Sequence, residues 1–230
     1  MNGEDAVPNV LPGFPLAEST EATTDPGHAP GTRGPYKRSE ATRAAILGAA
    51  MDVFVEQGSR AASMREIARR AGVDQSTVLH HFPHKSALLL ALMRERDARA
   101  DALLAAEHPA TPADVPAAML ALARSNAGRP DVLALYTLLA AESVTADHPL
   151  EEFFHERVVR VRAGFEEWFA ALGAAGMLRD GVTPAFASAS FFALWEGAQL
   201  HWLLDRDGVD VVALLAQFLH LITPDPKDQQ

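Results

Sequence analysis

Gln75, Ser76, Thr77 and His80 bring one amide, two hydroxyls and one imidazole into a single short stretch. Side chains of these types hydrogen-bond base edges or phosphates and are small enough to enter a groove of duplex DNA. Phosphate-directed groups lie around them: Arg38, Thr42 and Arg43 upstream, and His81 and Lys85 downstream. Ser63 and Leu79 complete the candidate DNA-facing set. Two other constellations point to different chemistry and are weaker. His80, His81 and His84 resemble a metal cluster, but Pro83 breaks the helix between His80 and His84, so those two do not share a face. Glu142, His148, Glu151, Glu152 and His155 resemble part of a di-metal helical site. That class repeats a Glu-x-x-His pair on separate helices, and Glu152-Phe-Phe-His155 occurs once. There is no P-loop, GxSxG or HExxH pattern. With no Cys there is no thiolate nucleophile or thiolate metal site either. The reading is therefore no enzyme, no cofactor and no metal.

These side chains need elements to hold them. Ser63 is a good N-cap, and Glu66 three residues later completes a capping box, so a helix starts there. Met64, Ile67, Ala68 and Ala71 make its apolar stripe, and Arg65, Arg69 and Arg70 lie off it. Gly72 stops the helix, because glycine adopts the left-handed conformation that such a stop needs. Val73 plugs the corner, Asp74 caps a second helix over 75–82, and Pro83 ends it. Val78 and Phe82 are four apart and turn one face of the second helix inward. Two helices, a glycine corner and a polar outer face describe a helix-turn-helix with its recognition helix second. An ordinary αα-hairpin within a bundle has the same pattern.

The run REIARRAGVDQSTVLHHFPHKSALLLA resembles the DNA-binding signature of the tetracycline-repressor (TetR) family of bacterial transcription regulators. The likeness covers residues 39–93. Two positions depart from the family's habit: Ser76 stands where Gly is frequent, and Leu79 where Tyr is frequent, which removes a common phosphate contact. The resemblance implies an all-α chain with a three-helix DNA-binding domain and a C-terminal helical ligand-binding and dimerisation domain. It also implies a homodimeric repressor on a near-palindromic double-stranded operator, released by a small-molecule effector. The rival readings are a helical enzyme and a protein-interaction module whose helix-turn-helix is structural.

Charge is divided in a way that fits one DNA-facing domain. The whole chain carries −10. Residues 33–96 hold 11 Lys and Arg against 6 Asp and Glu, whereas residues 1–32 hold five acids and no base. A basic segment on an acidic chain is the electrostatic footprint of a nucleic-acid domain beside one that avoids it. Residues 1–34, rich in Pro, Gly, Thr and Ala, read as a disordered tail. Its basic end, Arg33 to Arg38, is either an arm along the duplex or a solvated linker. No apolar run is long enough for a membrane span, and the N-terminal acids do not suit a signal peptide. A cytoplasmic location is expected.

Periodicity divides the rest. Residues 35–85 form the DNA-binding domain, beginning with a helix over 39–57 that Gly58 ends. A connecting helix spans 86–106, and residues 107–230 form the regulatory domain. Within it helices are expected over 114–126, 131–144, 150–172, 184–204 and 209–222. Ala185, Ala189, Ala193 and Gly197 step by four along an otherwise apolar helix, a stripe that admits another helix closely. Together with Leu214 and Phe218 it is the expected homodimer interface. Met119, Tyr136, Trp168, Phe192 and Trp195 are candidates to line a hydrophobic ligand site, with Glu142 and Gln199 as polar handles.

Overall fold

The computed structural model describes residues 33–224, and every regular element among them is helical. Residues 1–32 of the expected tail (1–34) and the last six residues lie outside the described part. The helices are α1 (Arg33–Ala61), α2 (Met64–Ala71), α3 (Gln75–His81), α4 (Lys85–Ala106), α5 (Val115–Ala127), α6 (Pro130–Glu142), α7 (Glu151–Ala174), α8 (Pro184–Leu204) and α9 (Val211–Ile222). A single 3-10 turn, Pro112–Asp114, precedes α5. It is closed by a capping box between Thr111 and Asp114.

The helices fall into two compact units. One comprises residues 33–98 with 131–154, and the other 99–130 with 155–224. This division differs from the expected one, because α6 and the loop after it group with α1, α2 and α3.

In the first unit α1 begins at Arg33, six residues before the expected cap at Ser39, so the basic stretch to Arg38 is helical and not an extended arm. Pro35 does not prevent this, since proline is tolerated in a first turn. Ile46, Ala49, Ala50, Val53 and Phe54 are all buried, as their spacing requires. At Gly58 the backbone leaves helical geometry (φ 78°, ψ 161°), so the helix proper ends where glycine was expected to end it. α2 packs on α1, and α3 packs on α2.

In the second unit α9 packs on α8 and α5. Phe165, Phe191 and Trp195 stack at its centre with centroid separations of 5.1–5.8 Å. Aromatic pairs at such distances add to their area burial. Ser188, buried on α8, donates to the carbonyl of Arg162 on α7 at 2.6 Å. Thr183 caps α8 by accepting from the Phe186 N–H, and Pro184 follows at the first position. This is the start that the Thr-Pro pair implies.

α8 buries only part of its surface. Ala187, Ser188, Phe191, Trp195, Ala198 and Gln199 face inward. Ala185, Ala189, Ala193 and Gly197 are exposed, as are Phe186, Leu200 and Leu204. On α9, Leu214 and Leu221 are exposed too, while Phe218 is half-buried with its ring 6.1 Å from Phe191. Phe218 thus contributes to the unit's own core as well as to this face.

Candidate nucleic-acid interface

The corner between α2 and α3 is set by Gly72, whose φ of 67° and ψ of 31° are left-handed. Its N–H and that of Val73 return to the carbonyls of Arg69 and Ala68, which satisfies the end of α2. Ser63 caps the start of α2 by accepting from the Glu66 N–H at 3.2 Å. The other half of the expected capping box is missing, because the Glu66 carboxylate is drawn elsewhere. It accepts from Arg69 at 2.7 and 2.8 Å and from Arg70 Nε at 2.9 Å. Arg70 also grips Glu56 of α1, at 2.7 Å through Nη1 and again through Nη2. Two guanidiniums on one carboxylate outcompete a single backbone N–H. The Glu66–Arg69 and Glu66–Arg70 spacings were readable as helical neighbours, but Glu56–Arg70 needed the fold.

α3 is short and its orientation is decided by two side chains. Val78 is fully buried and Phe82, at its C-terminus, is 3% exposed. Gln75, Ser76, Leu79 and His80 are exposed, and Thr77 and His81 are half-buried at the margins. Asp74 occupies the N-cap, but its side chain makes no capping bond there. The Thr77 and Val78 N–H groups instead reach its backbone carbonyl.

The expected phosphate ligands are present but several have additional work. Thr42 Oγ1 donates to the carbonyl of Arg38 at 2.9 Å. The Arg43 guanidinium lies 4.8 Å over the Phe82 ring, a cation–π contact. Lys85 Nζ donates to the carbonyls of Arg60 at 2.9 Å and Ala62 at 3.2 Å. An ammonium has three donors, so one N–H stays available for a phosphate. His84 is engaged locally. Its Nδ1 accepts from the Ala87 N–H at 3.2 Å and pairs with Ser86 Oγ at 2.7 Å, which caps α4. Among the described residues no group of three or more His, Asp or Glu is placed to hold a metal ion. Glu152 and His155 are exposed on α7.

The expected ligand-site residues are divided between the two units. Met119, Trp168 and Trp195 are buried in the core of the second unit, Phe192 packs against that core, and Gln199 is 4% exposed. Tyr136 and Glu142 belong to the first unit. Tyr136 lies against Phe154 and under the Arg96 guanidinium, 4.1 Å from its ring centre. Glu142 is not an uncommitted polar handle: it accepts from Ser59 Oγ at 3.2 Å and pairs with Arg60 at 3.2 Å. The residue spacing did not single out Arg96 and Asp97 on α4, joined at 3.0 Å with Asp97 buried and Arg96 half-buried. Adjacent residues of a helix rarely share a face, so spacing gave no signal for them.

A model described as bacterial regulatory proteins, tetR family, matches residues 46–92, which hold most of α1, the corner, α3 and the start of α4. The structure of NalD, the secondary repressor of the MexAB-OprM multidrug efflux pump in Pseudomonas aeruginosa, superposes with a TM-score of 0.68 at 26% identity. The match spans 82% of this chain and 99% of NalD. Over residues 46–92 this chain is similar to the TetR family. Sequence relatives include the HTH-type transcriptional regulator BetI of Rhizobium meliloti (strain 1021), 34% identical over 104 residues. Another is the HTH-type transcriptional regulator RutR of Escherichia coli (strain K12), 42% identical over 62 residues. The chain spans about half the length of BetI and 29% of RutR. A complex of SmeT with triclosan shares the fold, with a TM-score of 0.70 at 22% identity over 81% of this chain and 93% of SmeT. No described helix is long and apolar enough to cross a membrane.

The arginine bridges have a consequence that can be measured. Hydrogen bonds from Arg69 and then Arg70 hold the Glu66 carboxyl down at about 2, against an ordinary 4.5. Glu56 is lowered in the same direction by Arg70. A carboxyl lowered on folding stabilises the fold fully above its unfolded pKa and loses that contribution as pH falls toward the folded value. Glu66→Gln should therefore melt below the wild type at neutral pH, and the gap should shrink as pH falls below about 5 and close only near pH 2. A gap that does not change with pH would mean the bridges contribute nothing to stability.

Proposed function

We propose that this chain is a DNA-binding transcription regulator, a repressor that holds a near-palindromic operator as a homodimer and is released by a small apolar ligand. The observation that carries the reading is the outward polar face of α3, set on a corner pinned by Gly72 and Val78 inside the segment that matches the tetR model. Gln75, Ser76, Thr77 and His80 read bases or nearby phosphates, while Arg38, Thr42, Arg43, His81 and Lys85 hold the backbone. Ser63 acts through the N-cap of α2. Repression is favoured by the likeness to NalD, itself a repressor over nearly all its length.

Two substitutions test the contact scheme. Gln75→Ala should alter which sequences are selected from random duplexes, because an amide reads adenine through paired bonds. Lys85→Ala should weaken binding to all duplexes alike and reduce the slope of log affinity against log salt by about 1. Melting curves separate this from loss of the Arg60 and Ala62 carbonyl contacts. Unchanged affinity and unchanged preference in both variants would end the assignment.

The dimer reading is supported by the exposed edge of α8. A Cβ added at Gly197 would meet nothing within 4 Å, so nothing within one subunit requires glycine there. Glycine inside a helix costs about 1 kcal/mol relative to Ala, and a closely approaching second helix accounts for retaining it. Ala185, Ala189, Ala193 and Leu214 extend this edge, and Phe218 borders it. Gly197→Leu should convert a dimer to monomers in sedimentation. A wild-type monomer, or a variant that still dimerises fully, would refute this face.

The ligand reading is supported by Trp195. Its indole N–H is buried and, among the described residues, is the buried side-chain polar atom left without a hydrogen-bond partner. Such a donor costs about 1–3 kcal/mol until an acceptor reaches it. Gln199 lies one turn along the same helix, and Met119, Trp168 and Phe192 belong to the same core. Tyr136 and Glu142 are left out of this site. The ligand that suits this environment is aromatic, uncharged and bears an oxygen acceptor. In calorimetric titrations triclosan should bind the wild type, and Trp195→Phe should weaken it about tenfold without lowering the melting temperature. Equal affinity in the two proteins, or no binding to the wild type, would remove Trp195 from the site.

A further inference from the structure

We propose that Leu79 reads the C5 methyl group of a thymine in the major groove. The inference rests on the DNA-binding reading above and adds the chemistry of one base position to it. Leu79 is 41% exposed although it sits one residue from fully buried Val78. The other exposed side chains of α3, those of Gln75, Ser76 and His80, are all polar. Val78 and Phe82 supply the inward anchor of α3, and Leu79 lies outside that buried pair. One residue on from Val78 is about 100° around a helix, which puts Leu79 on the flank of the outward face, in the same row as Gln75.

A leucine can neither donate nor accept a hydrogen bond, so it has no bond to offer a phosphate or the polar edge of a base. The apolar feature that the major groove presents is the thymine methyl, and an alkyl side chain against it is a recognised mode of direct readout. Gln75 stands four residues before Leu79, about 6 Å along the helix. Base pairs stack about 3.4 Å apart. The same flank therefore sets an amide suited to adenine and an alkyl group suited to thymine within about two base-pair steps of each other.

The test uses the full chain and a duplex that the wild type selects from a random library. Each thymine is then replaced in turn by deoxyuridine, which removes the methyl and leaves base pairing intact. One position in each half-site should lose affinity about three- to tenfold with the wild type. With Leu79→Ala the same replacement should change affinity less than about twofold, and with Leu79→Met the sensitivity should persist, since an alkyl contact is retained. Both variants should melt like the wild type. A duplex with no methyl-sensitive position, or a sensitivity undiminished in Leu79→Ala, would overturn the proposal while leaving DNA binding in place. Failure of the wild type to select any duplex would overturn the regulator reading itself.

Discussion

The burial of Val78 and Phe82 is the constraint on which the rest of the proposed DNA-facing surface depends. α3 has fewer than eight residues and little stability of its own, since an isolated helix of that length does not persist in water. Its two apolar anchors dock it on the unit, and the left-handed Gly72 sets the angle at which it arrives. Once those are fixed, helical geometry leaves no choice about Gln75, Ser76, Leu79 and His80: they must face out. Each anchored residue therefore specifies the direction of several unanchored ones.

The surroundings of this corner are tied by groups that also carry positive charge. Arg70 joins Glu56 and Glu66, Arg43 rests on Phe82, and Lys85 holds the carbonyls at the end of α1. Contacts of this kind near the surface add little to stability. Their value lies in position. A cation held by a neighbour is ordered before a phosphate arrives, so less freedom is lost on binding. Glu142 enters the same scheme from α6 by holding Ser59 and Arg60 beside the carbonyl that Lys85 uses. A displacement of α6 would reach the first residue of α4 through two hydrogen-bonded steps, all within one unit.

The second unit has a different character. Its centre is a cluster of aromatic rings with one unpartnered indole N–H, and its outer edge is a row of small residues flanked by exposed Phe186, Leu200 and Leu204. A lone subunit gains nothing from exposing those side chains to water. α8 carries both features, with Trp195 inward and Ala193 and Gly197 outward. A change in how Trp195 is packed is therefore a change in the same rod that bears the proposed dimer edge.

The sequence by itself determined the helices, their approximate limits and the sidedness of the corner. Gly58, Gly72 and the Thr183-Pro184 pair punctuate the chain, and apolar residues at a helical period mark which faces are inward. These are local properties, carried by residues a few positions apart. Only the tertiary structure decided the partners of charged and polar side chains. Glu66 leaves the Ser63 N–H for two arginines, Glu142 is held by Ser59 and Arg60, Lys85 turns to the carbonyls of Arg60 and Ala62, and α1 runs back to Arg33. It also decided that α6 groups with α1, α2 and α3. Long polar side chains reach in many directions at similar free energy, so spacing leaves their partners open. Buried apolar surface has one favourable direction, and a short stretch of sequence is enough to show it.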